Sequence, residues 1–329
     1  MGFLKTLLTG KEESDEEKKQ NENRRNFDVF KYDGLSALNM GKVDYAEKCF
    51  EKALEIADDA EIRQAIARIC LSKNDFDGAV SNLEALCNLE PDTPGYHISL
   101  ADVCIQAGKF DMADSECRKA LQLSPDLAMP HYLLAEKANK QENYLEAVVQ
   151  LTQAISLKDD YFEAYLLRGQ VLCRMMQFGE AEKDADVLMQ HNGEESEEVL
   201  RLKSCVCAHT GRESEAAELL EKAISLNPFE PEIYVGLSNI YLKLNDKDKA
   251  LQTLEEGMEQ NTDSPLLYRA RGAVRLESGD KKGAMEDVKK ALELAPEEEK
   301  NLSGKFSNIE EKFVEAYNQL NPYQFKIWI

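Results

Sequence analysis

Alanine marks a regular period along the chain. The aligned positions are Ala46, Ala79, Ala113, Ala147, Ala181, Ala216, Ala250 and Ala284, with spacings of 33, 34, 34, 34, 35, 34 and 34 residues. Twelve residues before each stands a second small residue: Gly34, Ala67, Ala101, Ala135, Gly169, Ser204, Ser238 or Gly272. Four residues after each alanine, one turn along the same helical face, come Phe50, Leu83, Cys117, Leu151, Ala185, Leu220, Leu254 and Val288. Small side chains at both places let two helices approach closely. Pro91, Pro125, Pro228 and Pro296 then end four of the second helices, because proline cannot continue the hydrogen-bond ladder. Each unit reads as helix, tight turn, helix. Neither helix covers its apolar stripe alone, so the units must stack.

The repeated segment Gly41-Lys42-Val43-Asp44-Tyr45-Ala46 returns as Asn74-Asp75-Phe76-Asp77-Gly78-Ala79 and as Gly108-Lys109-Phe110-Asp111-Met112-Ala113. With the later Phe/Leu, small residue and Pro, this pattern resembles the tetratricopeptide repeat family over residues 27–296. Leu86 in the second repeat and Gly193 in the fifth depart from the pattern. The resemblance implies an all-α, right-handed helical solenoid of about eight helix-turn-helix repeats, with the first helices lining a concave groove that holds partner peptides.

The segments flanking the repeats are short. Residues 1–26 read as a short apolar start, Phe3, Leu4, Leu7 and Leu8, followed by a mixed-charge flexible linker over 11–26. Residues 1–8 could give a weak membrane contact, and Met1-Gly2 with Thr6 matches a myristoylation pattern that chance also supplies; a frayed terminus is the preferred reading. After Pro296, Ser307-x-x-Glu310 forms a capping-box pattern for a helix over about 308–320 that would cover the last repeat. Tyr323, Phe325, Ile327 and Ile329 then alternate with Gln324, Lys326 and Trp328, a period-two strand pattern. This tail is expected to seal the last repeat or to plug a groove.

Charge changes the picture of partners. The formal net charge is −22, and residues 1–26 are balanced, so the excess sits on the repeats and the C-terminal segment. Such a surface repels phosphate backbones, which excludes nucleic acid and favours a basic or apolar peptide. No apolar stretch is long enough to span a bilayer, and the start is too short and too broken by Lys5 to be a secretory signal; a cytoplasmic location is expected. The eight cysteines fall largely at repeat core positions, as Cys70, Cys104 and Cys207 do at one place, and read as buried thiols of a reducing compartment. His97 and His131 occupy a core position and read as satisfied core histidines. No phosphate loop, metal-ligand cluster or nucleophile pairing is legible, so no catalytic, cofactor or metal residue is assigned and the chain is expected not to be an enzyme. The expected role is a non-catalytic protein-binding scaffold. The alternatives are a self-assembling scaffold subunit and a regulatory subunit of an enzyme complex, and the oligomeric state is open.

Carried over from the family, the groove positions of the third to seventh repeats are Ile98, Ser99 and Asp102; Tyr132, Leu133 and Glu136; Leu166, Leu167 and Gln170; Arg201, Leu202 and Cys205; Val235, Gly236 and Asn239. The carboxylate clamp of the chaperone-binding class is not reproduced. Ile98, Tyr132, Leu133, Leu166, Leu167 and Leu202 form an apolar strip in acidic surroundings, suited to a partner with apolar anchors and basic flanks, although some of them read equally as core. Two further positions carry arginine at a place that is apolar in four of the other repeats. Arg168 and Arg271 precede Gly169 and Gly272, and only their repeats carry Asp sixteen residues later, at Asp184 and Asp287. A half-buried guanidinium needs a carboxylate, so Arg168–Asp184 and Arg271–Asp287 are expected as structural ion pairs within their repeats.

Overall fold

The computed structural model describes residues 14–191 and 193–296. Residues 1–13 and 297–329, with the apolar start, the capping helix and the Trp328 tail, lie outside them. Sixteen α-helices follow one another among the described residues, with no strand. The chain forms two compact units that divide after Gln141. The first contains α1 (Asp15–Asn39), α2 (Val43–Leu54), α3 (Ala60–Ser72), α4 (Phe76–Leu89), α5 (Pro94–Gln106), α6 (Phe110–Leu123) and α7 (Ala128–Lys140). The second contains α8 (Tyr144–Leu157), α9 (Phe162–Arg174), α10 (Phe178–Gln190), α11 (Glu197–His209), α12 (Glu213–Leu226), α13 (Pro231–Lys243), α14 (Lys247–Gln260), α15 (Pro265–Glu277) and α16 (Lys281–Leu294). Within each unit consecutive helices pack side by side, and α5 also meets α7, α9 meets α11 and α13 meets α15, the arrangement of an all-α repeat solenoid.

The periodic small residues do what their spacing implies. Ala46, Ala79, Ala113, Ala147, Ala181, Ala216, Ala250 and Ala284 are all buried, and so are the small residues twelve positions earlier. The turn inside each repeat has its own period: Gly41, Asn74, Gly108, Glu142, Met176, Gly211, Asn245 and Gly279 all lie in the left-handed region, with φ between 57° and 88°. Glycine adopts this conformation freely and asparagine tolerates it, whereas Glu142 and Met176 each carry a penalty of roughly 1–2 kcal/mol.

One part of the expected organisation differs. Residues 15–26, read as flexible linker, form the exposed first turns of α1. Ser14 and Glu17 close a capping box, the Glu17 amide donating to Ser14 Oγ at 3.2 Å and the Ser14 amide to Glu17 Oε2 at 2.8 Å. With Asp15, Glu16 and Glu17 in the first turn, the helix dipole is also complemented.

Gly257 shows how one repeat departs from the rest. Five repeats have Ala at this place, but here a Cβ would come within 2.7 Å of Cγ of the buried Tyr234 ring. Tyr234 is itself fixed, donating its hydroxyl to the Pro228 carbonyl at 3.1 Å. Alanine favours a helix over glycine by about 1 kcal/mol, yet Gly257→Ala is expected to destabilise the chain by about 1–3 kcal/mol through overpacking. Urea unfolding followed by circular dichroism checks the sign, and a stabilised variant would show that Tyr234 can move aside.

Candidate functional site

The odd-numbered helices carry the positions assigned to the groove. In the first unit, Ile98 and Asp102 on α5 and Tyr132 and Glu136 on α7 are half-buried, and Ser99 is exposed. Ile98 and Tyr132 pack by one side against the same core cluster. Burial pushes the Glu136 carboxyl above its ordinary value, and the charge of Asp102 pushes in the same direction while Lys140 opposes it. Gln106 steadies Asp102, its Nε2 donating to Oδ1 at 3.1 Å. Two carboxylates thus stand together beside a partly exposed aromatic and a partly exposed aliphatic side chain.

In the second unit Leu166, Leu167, Gln170, Arg201 and Asn239 are half-buried. Two members of the expected apolar strip are not surface residues at all. Leu133 is 1% exposed and Leu202 0%, and both lie inside core clusters. Cys205, Val235 and Gly236 are buried as well. Position within the repeat does not decide this by itself, because Ser99 and Leu167 occupy the same place as Leu133 and Leu202 and keep exposed surface. Local packing does: Leu202 lies against Gly169, where a Cβ would come within 2.6 Å of its Cδ2. Ile98, Tyr132, Leu166 and Leu167 keep exposed surface; Leu133 and Leu202 are corrected to core.

A polar slot fifteen residues after the first small residue recurs inside the repeats, and the structure pairs it in several ways. Asp184 on α10 accepts two hydrogen bonds from Arg168 on α9, from Nη2 at 2.7 Å and from Nε at 2.9 Å. Arg168 reaches back as well, donating from Nη1 to Thr152 Oγ1 on α8 at 3.1 Å. Asp287 on α16 accepts from Arg271 Nη2 at 2.6 Å and Nε at 3.1 Å, and also from Arg275 Nη1 at 2.9 Å. Burial pushes the Asp184 carboxyl up more strongly than Arg168 pulls it down, while the hydrogen bonds to Asp184 hold the guanidinium charged. The same slot holds Asn82, whose Oδ1 accepts from Arg63 Nη1 at 3.1 Å, and Glu116, which meets His97. The partner comes from the residue just before the small one in two repeats and from four before it in the other two. A search at one fixed offset finds only the first kind.

His97 is a buried core histidine with both ring nitrogens partnered, as its place in the repeat implied. Its Nδ1 lies 2.6 Å from Glu116 Oε2 and its Nε2 lies 3.0 Å from the Pro91 carbonyl. Cys87 completes a buried group in which one donor atom of each residue lies within 4.8 Å of the others. Cys87, His97 and Glu116 come from α4, α5 and α6, at sequence separations that match no local motif. All eight cysteines are free and buried, and burial pushes the thiols of Cys87 and Cys104 up to about 11 and that of Cys117 to about 12.

The fold and its repeat spacing define an α-helical repeat solenoid, and comparison with known proteins agrees. Tetratricopeptide repeat family models match residues 34–59, 94–127 and 209–274. A tetratricopeptide repeat protein from Parabacteroides merdae is similar in structure, with a TM-score of 0.61 at 19% identity, covering 79% of this chain and 98% of that one. PilF of Pseudomonas aeruginosa is similar at a TM-score of 0.52 and 18% identity, covering 62% of this chain and 92% of that one. The Cut9–Hcn1 hetero-tetramer of the APC/C gives 0.54 at 13% identity, covering 84% of this chain and 59% of that one. No curated protein matches the chain in sequence. Over residues 34–59, 94–127 and 209–274 the chain carries tetratricopeptide repeats. Among the described residues no helix is long and apolar enough to cross a membrane.

Proposed function

We infer that this chain is a non-catalytic scaffold that binds a protein partner through an extended or helical segment laid on the first-helix face. Tetratricopeptide repeats generally mediate protein–protein contacts, and one observation supports the particular reading. On α5 and α7, the paired carboxylates Asp102 and Glu136 stand beside the partly exposed Ile98 and Tyr132. A partner's Lys or Arg placed between the carboxylates relieves their mutual repulsion, and a neighbouring aliphatic anchor buries against Ile98 and Tyr132. Each fully buried anchor contributes roughly 1.5–3 kcal/mol. The net charge of −22 adds long-range attraction for basic segments that weakens as salt rises. In the second unit, Leu166 and Leu167 offer further apolar contact on α9.

The test is selection of a randomised peptide library on the purified full chain. Enriched peptides should combine Leu or Ile with Lys or Arg. The double replacement Asp102→Lys and Glu136→Lys should weaken the best of them by about tenfold or more, roughly 1.4 kcal/mol, with unchanged helical circular dichroism. Selection of acidic peptides, or affinity indifferent to the double charge reversal, would overturn this face as the binding site.

A further inference from the structure

We propose that Cys87, His97 and Glu116 form a site for a divalent transition-metal ion, zinc by its donor set, that ties α4, α5 and α6 together. The three side chains are nearly buried, at 7%, 5% and 6% exposure, and offer one sulfur, one imidazole nitrogen and one carboxylate oxygen, all within 4.8 Å of one another. Sulfur with imidazole suits zinc and its neighbours, whereas magnesium and calcium take all-oxygen shells.

The atoms around these donors already stand as they would around a metal. The Pro91 carbonyl can only accept a hydrogen bond, so the Nε2 atom of His97 carries the proton donated to it at 3.0 Å. That leaves Nδ1 as the ring's coordinating atom, and Nδ1 is the atom turned toward Glu116. Glu116 is held in the same manner: its Oε1 accepts from Lys119 Nζ at 2.7 Å, so Oε2 remains for the site. Metal-ligating histidines and carboxylates are typically oriented by such outer partners, a backbone carbonyl among them. Both ligands have theirs here.

Distances and charge also fit. Metal–ligand bonds of about 2.0–2.3 Å in a tetrahedral shell place the ligand atoms roughly 3.3–3.8 Å apart. The 2.6 Å contact of Nδ1 with Oε2 needs a proton between the two atoms; an ion replaces that proton and lets them separate, while the sulfur moves inward. A thiolate and a carboxylate neutralise the two positive charges of the ion, which suits a buried location. The fourth position opens into a cavity of about 400 Å³ lined by Glu84, Asn88 and Gln122, room enough for water. Binding couples the end of α4, the start of α5 and the middle of α6 across two repeats, so it should stiffen that part of the first unit.

The experiment is titration of the full chain, freed of affinity tags and kept reduced by a phosphine, with cobalt(II) as the spectroscopic probe. One equivalent should produce a thiolate-to-cobalt charge-transfer band together with tetrahedral d–d absorption, and zinc should displace it. Cys87→Ala, which removes only the sulfur, should remove the charge-transfer band and the rise in Tm on adding zinc. Glu116→Gln should weaken cobalt binding by about tenfold or more, the lower end of what even outer-partner substitutions cost. A cobalt spectrum without charge transfer, or one unchanged in Cys87→Ala, overturns the site. Zinc X-ray absorption on the unsubstituted protein decides the matter if a variant fails to fold: one sulfur with two or three light atoms supports the site, and a shell of light atoms alone overturns it.

Discussion

Asp184→Ala should lower the stability of the chain by about 3 kcal/mol, whereas Arg168→Met combined with Asp184→Leu should leave it nearly unchanged or raise it. The asymmetry comes from burial. Asp184 is 3% exposed at its side chain and Arg168 18%, with two hydrogen bonds joining them. Removing the carboxylate leaves a guanidinium between α8, α9 and α10 with the Thr152 hydroxyl and the face of the Tyr165 ring as partners but no counter-charge on Asp184, and an uncompensated buried charge costs about 3–5 kcal/mol. Replacing both groups by apolar ones removes that penalty. It also removes the burial cost that pushes the Asp184 carboxyl upward despite its arginine. The sign in acid follows from the same shift. A carboxyl whose folded-state value is raised contributes stability present below its unfolded value and lost as pH rises through the folded one. Mild acid should therefore not loosen this repeat through Asp184. Urea unfolding of the single, double and unsubstituted chains at neutral and mildly acidic pH measures both effects; a double variant as unstable as the single would mean that the pair stabilises beyond its own burial cost.

Leu202→Ala should be the costliest of the leucine truncations at the assigned groove positions, at about 4 kcal/mol, near the upper part of the range for buried leucine. Leu202 is fully buried and lies against Gly169, where a Cβ would come within 2.6 Å of Leu202 Cδ2. With glycine beneath it, nothing can fill the space that truncation leaves. Leu167→Ala, at a half-buried position, should cost about 1 kcal/mol or less and leave the helical signal intact. The contrast separates wall from surface on the first helices. Equal losses for the two variants, or a folded and stable Leu202→Glu, would return Leu202 to the binding face.

Much of the architecture was legible because it repeats. One alanine every 34 residues or so, a small residue twelve before it and prolines after it leave few ways to bury the apolar stripes, and eight copies average out departures such as Leu86 and Gly193. The two Arg–Asp pairs were legible by comparison of repeats too, since only theirs join Arg before the small residue to Asp sixteen residues later. The start of α1 was legible too, in Ser14-Asp15-Glu16-Glu17, but composition outweighed it and the segment was read as linker. The binding face was harder. One place in the repeat holds the exposed Ser99, the half-buried Leu167 and the buried Leu133 and Leu202, so position within the repeat does not fix exposure there.

The sequence by itself determined the period, the helices, their small-residue contacts and the acidic character of the surface, because each depends on residues within one repeat or on a sum over the chain. Apart from the two Arg–Asp pairs, the tertiary structure alone decided which polar groups meet across helices. Cys87, His97 and Glu116 are ten and nineteen residues apart on three different helices, and only the packing of α4, α5 and α6 brings their donor atoms together. Likewise, Asp102 and Glu136 become a charged pair only because α5 and α7 lie side by side. Periodicity fixes which face a residue occupies, but the meeting of two faces depends on how closely and at what offset the helices pack, and no single repeat encodes that.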